Sequence, residues 1–276
     1  MSNLSPEGAD GVSEGSPRDG DGARAPLILC VDSASDAPCV AVTRGTRVVT
    51  RSVGRGHRGQ SLALLSEIDT TLREAEVSLS EIELFAVAVG PGSFTGLRAA
   101  LATIKAFASV RPRPVAAIPT LQAVAASAGA SARTIAAIPA GRRELFAQAL
   151  AVDDSGRVEE LTQARHLSPA AVIEQALASD GLIKWAGGGA RAHVGQLRDA
   201  AASAGIELVE HDSSDPVRGA GRGRVWELRA EAENYAAEIA ALSLISFEDG
   251  TTVGAGELRA LYVRPSDAEL KEQCRR

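Results

Sequence analysis

The chain has 276 residues, 45% of them hydrophobic and 3% aromatic, enough apolar material for one large core or two modest ones. Its formal net charge of −6 argues against a protein that grips RNA by itself, because phosphate neutralisation dominates such affinity. Three cysteines, Cys30, Cys39 and Cys274, lack metal-ligand spacing; an odd set of this kind argues against a disulfide framework and fits a reducing compartment.

In chain order, residues 1–25 come first, rich in Gly and Ser with Glu7, Asp10, Glu14, Asp19 and Asp21. They read as a disordered acidic tail and not as a signal or transit peptide. No apolar run reaches transmembrane length, so a cytoplasmic protein with no membrane contact is expected. Leu27–Val31 is a nearly continuous apolar run and predicts a buried strand. Cys39–Thr43 and Val48–Val53 predict two more, joined at Arg44-Gly45. Helical spacing of Leu65, Ile68 and Leu72 predicts a helix over Gln60–Glu76. Leu84–Val89 predicts another buried strand, Thr95–Ser109 a helix with Leu97, Leu101, Ile104 and Ala108 on one face, Val115–Ile118 a strand and Leu121–Ser127 a helix.

The same order then recurs at an offset of about 105 residues. Strands are expected at Thr134–Ile138, Glu144–Val152 and Arg157–Thr162. Ser168 caps and Pro169 opens a helix that runs to about Ala178. A strand at Leu182–Ala186, a helix over Ala190–Ala202, a strand at Ile206–Glu210 and a long helix over Val225–Phe247 complete the series. Three antiparallel strands extended by right-handed βα crossovers, made twice, define an α/β fold of duplicated βββαβαβα half-domains. This is the actin/sugar-kinase/ribonuclease-H-like architecture, with half-domains at 26–130 and 131–265, a cleft between them, and a flexible tail at 266–276.

The most specific stretch is Gly90-Pro91-Gly92-Ser93-Phe94-Thr95-Gly96-Leu97-Arg98, which follows a buried strand and opens a helix. Gly90 and Gly92 permit backbone angles that other residues resist, and Ser93 or Thr95 can cap the helix. Two readings stay open: tight strand–turn–helix packing, or an anion site at the helix start. A Walker A loop is excluded, because no Lys-Ser/Thr follows the last glycine.

This run resembles the signature of the TsaB (YeaZ-like) family, whose GPGSFTG-(L/V)-R turn opens its second helix. Other segments resemble that family in the same order: Ile28-Leu29-Cys30-Val31-Asp32-Ser33 its first strand, Ile118-Pro119-Thr120-Leu121 its V-S-T-L segment, and Leu261-Tyr262-Val263-Arg264-Pro265 its closing Y-x-R-x-P. Departures are equally specific. Gln60-Ser61-Leu62 replaces an expected His-Ser opening, with His57 three residues upstream. Pro139 stands where the family's second-half hairpin has Asp, Gly187-Gly188-Gly189 replaces Gly-Asp-Gly, and residues 212–224, with Arg218, Arg222 and Arg224, lengthen a loop.

Phosphoryl transfer on this fold needs carboxylates that hold magnesium and act as base. Asp32 is the one acid placed for it, while Asp153 and Asp154 sit in a turn with Gly156. His57, His166, His193 and His211 show no metal-binding pair, and no G-x-S-x-G elbow occurs. Trp185-Ala186-Gly187-Gly188-Gly189-Ala190 resembles the adenosine-contacting turn of sugar kinases. Its glycines read either as a small-residue βα turn or, with Asp32, as a nucleotide contact. On the second predicted helix Ala99, Ala102 and Ala106 form a small-residue stripe apart from the large apolar face, and a helix apolar on two sides is usually covered twice.

The resemblance implies a non-catalytic subunit that supports TsaD in threonylcarbamoylation of the adenosine next to the tRNA anticodon. TsaE, an ATPase, would be the third component, and tRNA would be met through the complex. A homodimer is the other association the family implies. The contact surface would be the first two helices, at Leu64, Ile68, Leu72, Ala99, Ala102 and Ala106. No intrinsic cofactor is expected; ATP and a divalent metal would belong to the partner subunits. The alternative is a catalytic kinase or ATP-dependent carbamoyl transferase of the same fold.

Overall fold

The computed structural model of the chain describes residues 25–53, 60–211, 224–230 and 232–263. The acidic tail, His57, Arg218, Arg222, the Arg264-Pro265 pair, Cys274 and the 266–276 tail lie outside the described residues. In chain order the first half runs β1 (Leu27–Asp32), β2 (Cys39–Arg44), β3 (Arg47–Val53), α1 (Gln60–Glu74), β4 (Leu84–Gly90), α2 (Phe94–Val110), β5 (Val115–Pro119) and α3 (Thr120–Ala126). The second half runs β6 (Ser131–Gly141), β7 (Glu144–Val152), β8 (Val158–Glu160), β9 (Arg165–Leu167), α4 (Pro169–Leu177), β10 (Leu182–Ala186), α5 (Gly188–Arg191), α6 (Val194–Ser203), β11 (Glu207–Glu210), β12 (Val225–Leu228) and α7 (Ala236–Glu248).

Each half builds one sheet. The first has order β3-β2-β1-β4-β5; the second has order β11-β12-β10-β6-β7-β8, with β9 also paired to β7. Every residue of β1 and β4 is buried, as central strands covered on both faces must be. Along β1, Leu27, Leu29 and Val31 face α1 and α2, while Ile28 and Cys30 face the other way. Edge strand β3 instead alternates between exposed and half-buried.

The layers stack as helix, sheet, helix, sheet, helix. α1 and α2 cover the outer face of the first sheet, and α4 and α6 that of the second. Between the sheets lie α3, against β6 and β7, and α7, which returns from the end of the chain onto β1, β2, β4 and β5. Small residues make this possible. Ala41, Ala86, Ala88, Ala116, Ala136 and Ala240 are all fully buried in that middle layer, so two helices fit between two sheets with hardly an aromatic ring. This is the actin/sugar-kinase-like architecture that the sequence predicts.

The expectations hold for most elements, and the exceptions are instructive. The long helix expected over Val225–Phe247 is two elements. Val225-Trp226-Glu227-Leu228 is a fully buried strand set parallel between β10 and β11, and the helix begins at Ala236. Four residues, three of them apolar around Glu227, fit a short strand or one helical turn equally well, so their neighbours decide. The helix expected over Ala190–Ala202 is broken between α5 and α6, with His193 at the junction. β9 was not anticipated; it is three residues long and borrows its ladder from β7.

The thiols of Cys30 and Cys39 are free and buried on adjacent strands. Burial pushes Cys30 up to about 12, against a hydrogen bond with Thr43, and raises Cys39 well above its ordinary value with help from the nearby Asp32 carboxylate. Neither forms the thiolate that reacts. In a Cys274→Ser background at pH 8, iodoacetamide should label neither thiol in the native protein and both in guanidinium, as read by mass spectrometry.

Candidate functional site

Ligands of open α/β sheets bind outside the carboxyl ends of the parallel strands, and three turns meet there. The first follows β1. The Oδ1 atom of Asp32 accepts hydrogen bonds from the Ala34 and Ser35 amides at 2.9 and 3.0 Å, and Oδ2 accepts one from the Ser35 hydroxyl at 2.5 Å. Burial raises the Asp32 carboxyl, against the pull of those three donors. Its oxygens are thus engaged in shaping residues 33–35.

The second turn is the glycine-rich run after β4, and it clasps the first. The Ser93 amide donates to the Ala34 carbonyl at 2.8 Å, and the Ser33 hydroxyl donates to the Gly96 carbonyl at 2.8 Å. Ser93 caps α2 by accepting from the Gly96 amide at 3.3 Å. A Cβ on Gly96 would lie 1.7 Å from the Ser33 carbonyl oxygen, and one on Gly92 would lie 2.1 Å from that of Ala34. These glycines serve backbone-to-backbone contact. Gly90, at φ +108°, is approached by the Leu261 carbonyl, while the Leu261 amide donates to Val89 at 2.8 Å. Beyond them the Phe94 ring packs against Tyr262 at a tilt of 35°, centroids 5.6 Å apart, and the Arg98 guanidinium sits 4.6 Å over the Phe94 ring. Thr95 is exposed and Pro91 buried.

The third turn, after β10, belongs to the second half. A Cβ on Gly187 would meet the Ala137 carbonyl at 2.3 Å, and one on Gly189 would meet it at 2.8 Å. Space beside these glycines is therefore filled by β6 and not left open for a purine. The Gly188 amide donates to Asp36 Oδ2 at 2.9 Å, which joins the first half to the second. Nothing in the sequence marks Asp36 for this contact, since a lone Asp in a Ser- and Ala-rich loop carries no motif.

The expected contact residues divide in two. Leu64, Ile68 and Leu72 are buried in the core between α1 and the first sheet, because the stripe that spaces them is the one that packs the helix. Their neighbour Leu65 is 60% exposed, and Ile68 and Leu72 also line the groove between α1 and α2, whereas Leu64 does not. On α2, Leu97, Leu101, Ile104 and Ala108 are buried, Ala99 is half-buried, and Ala102 and Ala106 are exposed. Phe94, Arg98, Ala102, Ala106 and Val110 then form an exposed ridge at four-residue spacing. Beside it, Leu65, Asp69, Arg73 and Phe107 line a groove of about 560 Å³ between α1 and α2.

Among the described residues, no group of three or more His, Cys, Asp or Glu side chains is placed to hold a metal ion. No described helix is long and apolar enough to cross a membrane.

Two substitutions test the clasp. Gly96→Ala should cost about 3 kcal/mol, because the Ser33 backbone has to move, whereas Gly195→Ala, with open space around it on α6, should stabilise by about 0.5 kcal/mol. Asp32→Asn keeps an acceptor for both amides and should lose about 1 kcal/mol; Asp32→Ala strands buried donors and should lose about 3 kcal/mol. Urea denaturation of the variants measures both pairs.

Comparison with known proteins adds the family. Residues 48–195 match the family model described as TsaD: tRNA N6-adenosine threonylcarbamoyltransferase. YeaZ from Pseudomonas aeruginosa superposes with a TM-score of 0.66 at 25% identity, over 86% of this chain and 99% of its own. A crystal structure of a protein with similarity to peptidase YeaZ from Pseudomonas aeruginosa superposes with a TM-score of 0.65 at 24% identity, over 87% of this chain and 100% of its own. No curated protein gives a significant match. The matched span exceeds half of the chain and contains the clasped turn and α2, so the chain belongs to the TsaD/glycoprotease family and is, within it, a TsaB-like protein.

Proposed function

We propose that this chain is a non-catalytic accessory subunit that binds a TsaD-like catalytic subunit and supports threonylcarbamoylation of the adenosine next to the tRNA anticodon. The observation that carries the reading is the exposed ridge of α2. A helix whose opposite face is already fixed to its sheet by Leu97, Leu101 and Ile104 presents Phe94, Ala102, Ala106 and Val110 outward, with Val110 82% exposed. Small residues flanked by bulky ones at four-residue spacing form the ridge by which helices pack closely in pairs. Leu65 and the groove beside it extend the apolar surface onto α1.

The strand-end turns support the same reading from the other side. Asp32 is engaged by its own turn and Gly187 and Gly189 by β6, so the groups that would serve a phosphoryl donor in a kinase of this fold serve the fold here. In this assignment ATP, the divalent metal and the tRNA are handled by the TsaD-like subunit and a TsaE-like ATPase, and the protein acts in the cytoplasm. A second copy of this chain is the other occupant the same ridge would fit.

Co-purification with the TsaD-like subunit of the same source tests the proposal, with tRNA modification assayed for each component and for the pair. Association, with activity that needs both, is expected. Ala102→Glu should abolish association while changing stability by no more than about 0.5 kcal/mol, and Ala202→Glu on exposed α6 should leave association intact. ATP turnover by the isolated chain that is lost in Asp32→Asn, without association, would overturn the proposal in favour of a catalytic member of the fold. A sedimenting dimer that Ala102→Glu splits, with no binding of the TsaD-like subunit, would overturn it in favour of self-association.

A further inference from the structure

The outer face of the second sheet holds a pocket of about 270 Å³, just under the range of roughly 300–1,000 Å³ that takes drug-sized ligands. It exists because β7 places Ala147 and Ala149 side by side on that face, where larger residues would fill the space beneath α4. Ile135 pairs with Ala149 on one flank, and Arg165 pairs with Ala147 on the other. Arg133, at the irregularity of β6 between Ser131 and Thr134, also lines the pocket. The two arginines thus approach from the strands on either side of β7, which stand roughly 10 Å apart at the usual strand spacing.

The walls are held in place. The segment that covers the pocket between β8 and β9 is fastened to β7: the Leu161 and Thr162 amides donate to the Ala149 carbonyl at 3.0 and 3.1 Å, the Thr162 hydroxyl accepts from the Ala149 amide at 3.0 Å, and Gln148 Nε2 donates to the Thr162 carbonyl at 2.8 Å. On the facing side α4 starts from a Ser168 cap. Val172 and Leu167 give apolar walls, while Gln163 and Gln175 add uncharged polar groups at the rim.

In a chain of net charge −6, none of the described residues that line this pocket is acidic. Neither arginine of the pocket is paired with an acid among the described residues. Two guanidinium groups without an acidic partner among the described residues, carried by the strands on either side of β7 around a small, apolar-floored cavity, are suited to anionic oxygens, which they bind with directional, charge-assisted hydrogen bonds. We infer that this pocket binds a small elongated dianion, with a carboxylate or a singly ionised phosphate group at each end. The site lies on the side of the molecule away from α1 and α2, and it stands independently of the partner reading.

Titration calorimetry of the full chain at constant ionic strength tests it, with glutarate, 3-phosphopropionate and butyrate as probes. At least one dianion should bind, and butyrate, with one charge, at least about tenfold more weakly. Arg133→Met and Arg165→Met should each weaken the dianion at least tenfold, and Ala149→Leu, which fills the floor, should abolish binding while thermal unfolding confirms that the variants fold. The tighter of glutarate and 3-phosphopropionate identifies the preferred end group. Failure of both dianions to bind at 10 mM (about the weakest affinity worth calling a site), or binding that survives both arginine substitutions, overturns the inference.

Discussion

The Asp32 carboxylate folds the chain over itself at the end of β1, and the centre of the molecule depends on that turn. Three donors from Ala34 and Ser35 fix residues 33–35. Thus fixed, the Ser33 and Ala34 carbonyls stand where Gly96 and Gly92 can press against them, which sets the position from which α2 departs. One residue further, Asp36 reaches the Gly188 amide of the second half. A single buried acid therefore positions a strand end, a helix start and a contact between the halves. Hydrogen bonds to a charged group are among the stronger ones a protein makes, and here they hold backbone and not a ligand.

The second constraint is thickness. Two sheets that share a middle layer of helices need small side chains wherever helix meets strand on both sides, and alanine supplies them in β1's neighbours, in β6 and in α7. The same choice explains the low aromatic content of the whole chain. It also explains why α7 can return to the first sheet: an apolar helix whose buried positions include Ala236, Ile239, Ala240 and Leu242 fits against Ala86 and Ala88 of β4 without a bulky residue between them. The outer layers, which meet a sheet on one side alone, carry the larger residues instead, with Phe85 beside Phe107 and Trp185 edge-on to Trp226.

What was legible in the sequence follows from these two constraints. Continuous apolar runs such as Leu27–Val31 and Leu84–Val89 signal strands buried on both faces, and Ser168-Pro169 signals a helix start by local chemistry alone. The glycine-rich turn was legible as a junction because glycine spacing of that kind has few uses. The strand at Val225–Leu228 was not, since its identity comes from the parallel neighbours β10 and β11. Nor was Asp36, whose partner lies more than a hundred residues away. On α1 the sequence puts Leu65, Ile68 and Leu72 on one apolar stripe, whereas the structure buries Leu64 with Ile68 and Leu72 and leaves Leu65 exposed; Leu64 and Leu65 are both apolar, so periodicity alone does not choose between them, and what covers the stripe is the chain's own sheet.

That distinction governs where function can reside. Residues at a strand-end junction that bind one another are poor candidates for binding something else, since each donor or acceptor turned to a ligand would first have to be withdrawn from the fold. The surfaces left with unmet capacity lie in the outer layers. On α2, a ridge of apolar and small side chains remains in water after the opposite face has been buried, and its hydrophobic area can be recovered by association. On the second sheet, two guanidinium groups beside an alanine floor have no acidic partner among the described residues. One surface calls for a helix and the other for a small anion, and the unlike chemistry of the two is the reason for assigning them separate occupants.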